Sequence, residues 1–115
     1  WLSFAVSANK TYKWRATLSY AVISSAAITF STNGPTTSIN NARFTTTFNV
    51  TTNAVSNQAT YDAGTNAAVS ANGLSTADGI FRTTAAGTWT IRFRASAGAT
   101  LTVRAGSIVE YSEVL

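Results

Sequence analysis

Apolar and polar residues alternate with a period of two in five separate runs of this chain, a pattern that fits strands and not helices. Leu2, Phe4 and Val6 alternate with Ser3, Ala5 and Ser7, and Tyr12, Trp14, Ala16, Leu18 and Tyr20 with Lys13, Arg15, Thr17 and Ser19. Ala26, Ile28 and Phe30 alternate with Ala27, Thr29 and Ser31, and Phe44, Thr46, Phe48 and Val50 with Arg43, Thr45, Thr47 and Asn49. Trp89, Ile91, Phe93 and Ala95 alternate with Thr90, Arg92, Arg94 and Ser96. Successive side chains on a strand point to opposite faces, so each run predicts an antiparallel strand with one buried and one wet face. The 20 threonines agree with this, because β-branched side chains suit a pleated surface.

Turn residues separate the runs: Ala8-Asn9-Lys10, Asn33-Gly34-Pro35, Asp62-Ala63-Gly64, Ala71-Asn72-Gly73, Ala77-Asp78-Gly79 and Ala86-Gly87. The spacing predicts about eight strands, the interval expected of a sandwich or barrel. The stretch Asn53 to Ser75, rich in Ala, Asn and Ser, reads either as short strands with long loops or as holding one helical turn near Asn66 to Val69. At 115 residues the chain makes one domain, residues 1–115. It begins with Trp1 rather than Met, which implies a processed chain or the C-terminal part of a longer one.

The last third allows a register argument. Trp89 to Ser96 and Thr100 to Ala105 are expected to form a hairpin around Gly98. A three-residue loop, Ala97 to Ala99, pairs Phe93 with Val103 and Ala95 with Leu101, which keeps the apolar faces together. That register sets Arg92 opposite Arg104, a like-charge pair in need of an offsetting group. Trp89, Phe93, Leu101 and Val103 are then expected in the core. Gly106-Ser107 ends the strand, and Ile108 to Leu115 forms a last one. It carries Val109, Tyr111 and Glu113 on one face and Ile108, Glu110, Ser112 and Val114 on the other, as a strand covered both by its own sandwich and by a partner would.

The absence of Cys, His and Met removes disulfides, thiolate nucleophiles, histidine bases and the usual zinc ligands. The only carboxylates are Asp62, Asp78, Glu110 and Glu113. Asp62 and Asp78 both stand near glycine in turn-like contexts, so the paired-carboxylate reading yields to a turn reading. Asp62, Asn66, Asn72 and Asp78 share a region but follow no calcium-loop spacing. No catalytic, metal or cofactor residues are assigned, and no enzyme is expected. The net charge of +4 reflects few acids rather than many bases, and Lys and Arg form no run. Tyr12, Lys13, Trp14 and Arg15 have the residue types of a nucleic-acid stacking platform, but alternation puts the rings and the cations on opposite faces. Nucleic acid is therefore not an expected partner. The sequence contains no apolar stretch of 18 residues, so no membrane insertion is expected. Asn9-Lys10-Thr11 and Asn49-Val50-Thr51 match the glycosylation sequon but carry little weight in a chain so rich in Asn and Thr. Ala, Thr, Ser and Asn make up 62 of the 115 residues, a composition that gives flat, weakly charged surfaces suited to packing against other surfaces. Trp1 lies outside the first alternation and is the candidate for contact with a glycan.

Two stretches carry a resemblance. Phe4 to Ala16, an apolar strand, a short turn, then Thr11-Tyr12 and an aromatic strand, resembles C1q/TNF-like jelly rolls. Gly87 to Ser96, followed by Leu101-Thr102-Val103-Arg104-Ala105-Gly106-Ser107 and the ending Glu113-Val114-Leu115, resembles the C-terminal end of tailed-bacteriophage virion proteins. The resemblance covers about the first 20 and last 30 residues. It implies a C1q/TNF-like antiparallel jelly-roll sandwich, a homotrimer with its last strands near the threefold axis, and a place on the virion surface. The implied roles are capsid decoration or head fibre in contact with other virion proteins, or a tail-fibre tip that attaches to a host-surface glycan. A stand-alone carbohydrate-binding module is a further alternative. Arg92, Arg94, Arg104, Glu110, Tyr111 and Glu113 are the expected subunit contacts.

Overall fold

The computed structural model describes residues 2–23, 26–47, 53–63, 67–69, 73–96 and 98–115. The chain order is β1 (Ser3–Val6), β2 (Thr11–Ile23), β3 (Ala26–Asn33), β4 (Thr37–Thr47), β5 (Asn53–Gln58), β6 (Ala67–Val69), β7 (Gly73–Thr83), β8 (Gly87–Ala95), β9 (Thr100–Val103) and β10 (Ile108–Val114). All the strand pairings are antiparallel. One sheet runs β1-β8-β3-β6 and the other β10-β2-β7-β4-β5, with β9 also on β2.

The pairings are nested: β1 with β8, β2 with β7, β3 with β6 and β4 with β5. Nested pairing is that of one long hairpin rolled up so that alternate pairs fall in different sheets, which is the jelly-roll topology. The described residues form ten strands where about eight were expected; β9 and β10, both anticipated as strands, run along the free side of β2. Of the uncertain middle stretch, β5, β6 and the start of β7 are strands, so Ala67–Val69 is not the helical turn that was one of its two readings.

Alternation builds the core as anticipated. In β2 the buried positions are Tyr12, Trp14, Ala16, Leu18 and Tyr20, while Lys13 and Arg15 point outward. Aromatic rings join the sheets: Trp14 and Trp89 lie 4.6 Å apart, Phe81 and Trp89 are parallel at 5.5 Å, and Phe30 stacks on Phe44 at 6.3 Å. With few large aliphatic side chains available, these rings supply much of the buried apolar surface and interlock at favourable offsets.

Two expectations about the last third are overturned. β8 and β9 form no hairpin: β8 pairs with β1 and β3 in one sheet, whereas β9 pairs with β2 in the other. The connection after β8 turns the corner of the roll, with Ala99 N donating to Ser96 O at 3.3 Å. Arg92 consequently faces Ser31, not Arg104, and the like-charge conflict does not arise. Trp89 is fully buried and Leu101 and Val103 pack partly buried against the core, but Phe93, expected inside, is 40% exposed because it lies near the open end of β8. The Ala77-Asp78-Gly79 turn is also absent, since all three residues lie within β7.

Candidate functional site

The six expected contact residues divide into two groups. Arg104, Glu110, Tyr111 and Glu113 lie on the strand edge made by β9 and β10. Arg92 and Arg94 lie on the outer face of the other sheet.

The β9–β10 edge is one line of chain interrupted once. Val103 faces Tyr20 and Ile108 faces Thr17, so Arg104 to Ser107 bulge out opposite Leu18 and Ser19. Gly106 makes the bulge possible with φ +88, in the left-handed region that favours glycine. Ser107 repairs the ladder by side chain: its hydroxyl accepts from Ser19 N at 3.0 Å and donates to Ser19 O at 3.3 Å. Arg104 sits exposed at the start of the bulge. Beyond it, Glu110 Oε2 accepts from Arg15 Nε and Glu113 Oε1 accepts from Lys10 Nζ, each at 2.6 Å. The hydrogen bonds to these carboxylates raise the Arg15 and Lys10 pKa values above their ordinary ones. Among the described residues β10 pairs only with β2, and Ile108, Tyr111 and Val114 along it stay exposed.

On the opposite sheet, Arg92 and Arg94 project from the outward face of β8 across from Ser31 and Thr29 of β3. The short β3 side chains beneath two long arginines leave a depression of about 260 Å³ with Asp62 at its rim. Thr29 and Ser31 are 5% exposed even though they face outward. The segment after β5 explains this, because it wraps over the part of β3 that β6 does not reach. Gln58 Nε2 donates to Phe30 O, Ser31 Oγ donates to Gln58 Oε1, and Asp62 N donates to Thr32 O, all at 2.9 Å. Asp62 has a positive φ of 54°, a conformation that Asp tolerates better than most residues. Its carboxylate is held by Asn33 Nδ2 and by Arg92 Nη1, the latter at 3.2 Å. Arg94 makes no ion pair among the described residues.

The outer face of the larger sheet carries a row that the sequence reading missed. Glu110, Arg15, Asp78, Arg43 and Asn57 stand directly opposite one another across β10, β2, β7, β4 and β5. Charge alternates along the first four, which suits facing positions in a sheet. A shallow groove of about 480 Å³ beside the row is bordered by Lys13, Asn41, Arg43, Asn57 and Asp78. The period-two pattern puts these residues on an outer face, but only the strand order makes them neighbours.

Asp62 and Asp78 thus lie on the outer sides of different sheets and do not form a carboxylate pair; Asp62 is a turn residue and Asp78 is not. Among the described residues no three acidic or other metal-ligating side chains cluster. Asn66 and Asn72, the Asn49 sequon and the candidate glycan contact Trp1 lie outside the described residues. Asn9 is exposed in the turn between β1 and β2. Tyr12 and Trp14 face the core while Lys13 and Arg15 face out, the opposed arrangement expected of them. Compared with family models, with curated proteins and with solved structures, the chain matches none.

Proposed function

We propose that this jelly roll is a non-enzymatic structural protein of a bacteriophage virion, a C1q/TNF-like domain that assembles as a homotrimer and decorates the capsid or forms part of a head fibre. The observation that carries the reading is the β10 edge. It offers a row of backbone groups on the side away from β2, flanked by exposed Ile108, Tyr111 and Val114. An edge of this kind is a template for contact with another chain unless it is blunted. The Arg104–Ser107 bulge precedes β10, and among the described residues no strand pairs with the outer side of Ile108–Val114. The C-terminal phrase Leu101 to Ser107 that resembles virion proteins forms β9 and the bulge that lead into this edge. Arg104, Glu110, Tyr111 and Glu113 are the proposed contact residues; Arg92 and Arg94 face another side.

Light scattering tests the assembly. The expected mass is three times the 12.1 kDa of the chain, falling to that of one chain in a Val114→Lys variant whose circular dichroism shows it still folded. A parent protein that stays monomeric at micromolar concentration overturns the trimer. Binding of the purified protein to capsids lacking it tests the decoration role.

A second reading, attachment to a host-surface glycan from a tail-fibre tip, draws support from the polar depression around Asp62, Arg92 and Arg94. Selective binding of labelled protein to host cells over non-host cells is its test.

A further inference from the structure

We infer that the depression on the outer face of the β1-β8-β3-β6 sheet is a subsite for a carboxylate-bearing sugar, with Arg94 and Arg92 receiving the acid group and Asp62 accepting from a neighbouring hydroxyl. The inference rests on the attachment reading above and gives that reading a place and a ligand chemistry.

Geometry singles out this depression. Arg92 and Arg94 are two residues apart on one strand face, which sets their Cα atoms about 7 Å apart and their side chains parallel. Arg92 engages Asp62 through Nη1 alone, which leaves its other donors for a ligand. Arg94 has no ion-pair partner among the described residues. Two guanidinium groups against one carboxylate leave the site with one net positive charge, and the planar guanidinium fork matches a carboxylate in two-point contact. A neutral sugar would leave Arg94 unmatched. A simple anion would leave Asp62 facing it as a like charge. A sugar that carries both an acid and hydroxyl groups satisfies the two together.

The rim carboxylate and the floor are also held before any ligand arrives. Asp62 is fixed by its backbone bond to Thr32, by Asn33 and by Arg92, and the floor residue Ser31 is tied to buried Gln58. Fixed polar groups lose less freedom on binding than mobile ones do. The larger groove on the opposite sheet lacks this feature. Its bordering Lys13, Arg43 and Asp78 side chains have no hydrogen-bond partner among the described residues. About 260 Å³ is room for a single sugar residue rather than an extended chain, so weak binding multiplied by copies on an assembly is the expected mode.

The test is a two-dimensional amide NMR titration of the full chain with an oligogalacturonate and, separately, with a neutral galacto-oligosaccharide of equal length. The expected result is saturable shifts around Thr29, Ser31, Asp62 and Arg94 with the acidic sugar only, weakening as salt is added. Arg94→Gln is expected to reduce that affinity about tenfold or more at unchanged melting temperature, as loss of a charge-assisted two-point contact should. Arg43→Gln, in the opposite groove, is expected to leave it unchanged. Equal binding of both sugars, parent-like binding by Arg94→Gln, loss of binding in Arg43→Gln, or no saturable shift at tens of millimolar acidic sugar each overturns the assignment. Selective host-cell binding that survives Arg94→Gln would remove this subsite and leave the attachment reading standing. Sugar binding at this depression without selective cell binding would do the reverse.

Discussion

The ring of Tyr111, on the last strand of one sheet, lies flat on the ring of Phe4, on the edge strand of the other, with centroids 3.7 Å apart and planes 4° apart. Phe4 is 8% exposed and Tyr111 is half-exposed, so the tyrosine acts as a lid where the two sheets part. Tyr111→Ala uncovers Phe4 and removes the stack, and is expected to lower the unfolding free energy by about 2 kcal/mol. Tyr111→Phe keeps the ring and is expected to stay near the parent value. Urea unfolding curves at one protein concentration check both. A Tyr111→Ala midpoint equal to the parent's would mean that the contact adds nothing to the fold.

Gly79 stands in the middle of β7 because the Trp14 indole occupies the space that a side chain would need. A Cβ there would lie 2.5 Å from Asn41 O and 2.6 Å from Trp14 Nε1. Neither neighbour yields easily, since one is strand backbone and the other is a packed core ring. Gly79→Ala is expected to cost about 3 kcal/mol, at the upper end for an overpacked site. The contrast is Gly98→Ala, where nothing lies within 4 Å and only the positive φ of 82° is disturbed. Its expected cost is about 1 kcal/mol, from strain alone. Thermal unfolding of the two variants side by side reads the difference; equal losses would contradict the packing account.

Gly79 also shows what the sequence reveals and what it conceals. Face parity was legible: the described alternating runs became strands with their apolar sets inward, apart from Phe93 near the end of β8. The same glycine, beside Asp78, looks like a turn, since a glycine needed for close packing has the same letter as one needed for a bend. The β8–β9 hairpin failed for a related reason. A short loop between two apolar runs is compatible with a hairpin or with a corner between sheets, and here β9 continues onto β2 of the other sheet, where Leu101 and Val103 still pack against the core. At the candidate sites, parity put Arg92 and Arg94 on one face. Their meeting with Asp62 depends on the wrap of residues 58–62 over β3, which local pattern does not encode.

The charge row on the larger sheet predicts a salt-dependent phenotype. Asp78 faces Arg15 on one side and Arg43 on the other. Asp78→Lys would place three cations in line and is expected to destabilise the fold by about 1 kcal/mol at low salt. High salt should recover most of that loss, because exposed charges are screened. Asp78→Ala should cost less and respond weakly to salt. Melting temperatures at low and high salt separate the cases. A loss in Asp78→Lys that ignores salt would place its origin in the strand backbone and not in charge.

Alkaline pH should be the chain's weak side. Burial raises the pKa of the Tyr20 and Tyr61 phenols above the ordinary 10.0, and the hydrogen bond to Glu113 raises that of Lys10 above 10.5. The signs agree. Each group holds its proton more tightly folded than unfolded, so its contribution is fully present below the ordinary value and is lost as pH rises through the folded one. With no histidine in the sequence, no side chain of that type adds a titration near neutrality. Unfolding free energy is therefore expected to fall from about pH 10 upward. Tyr61→Phe keeps the ring and removes one ionising group, so its alkaline fall should be shallower than the parent's. Urea midpoints measured across that pH range decide the matter, and a Tyr61→Phe slope equal to the parent's would mean that this phenol titrates alike in the folded and unfolded chains.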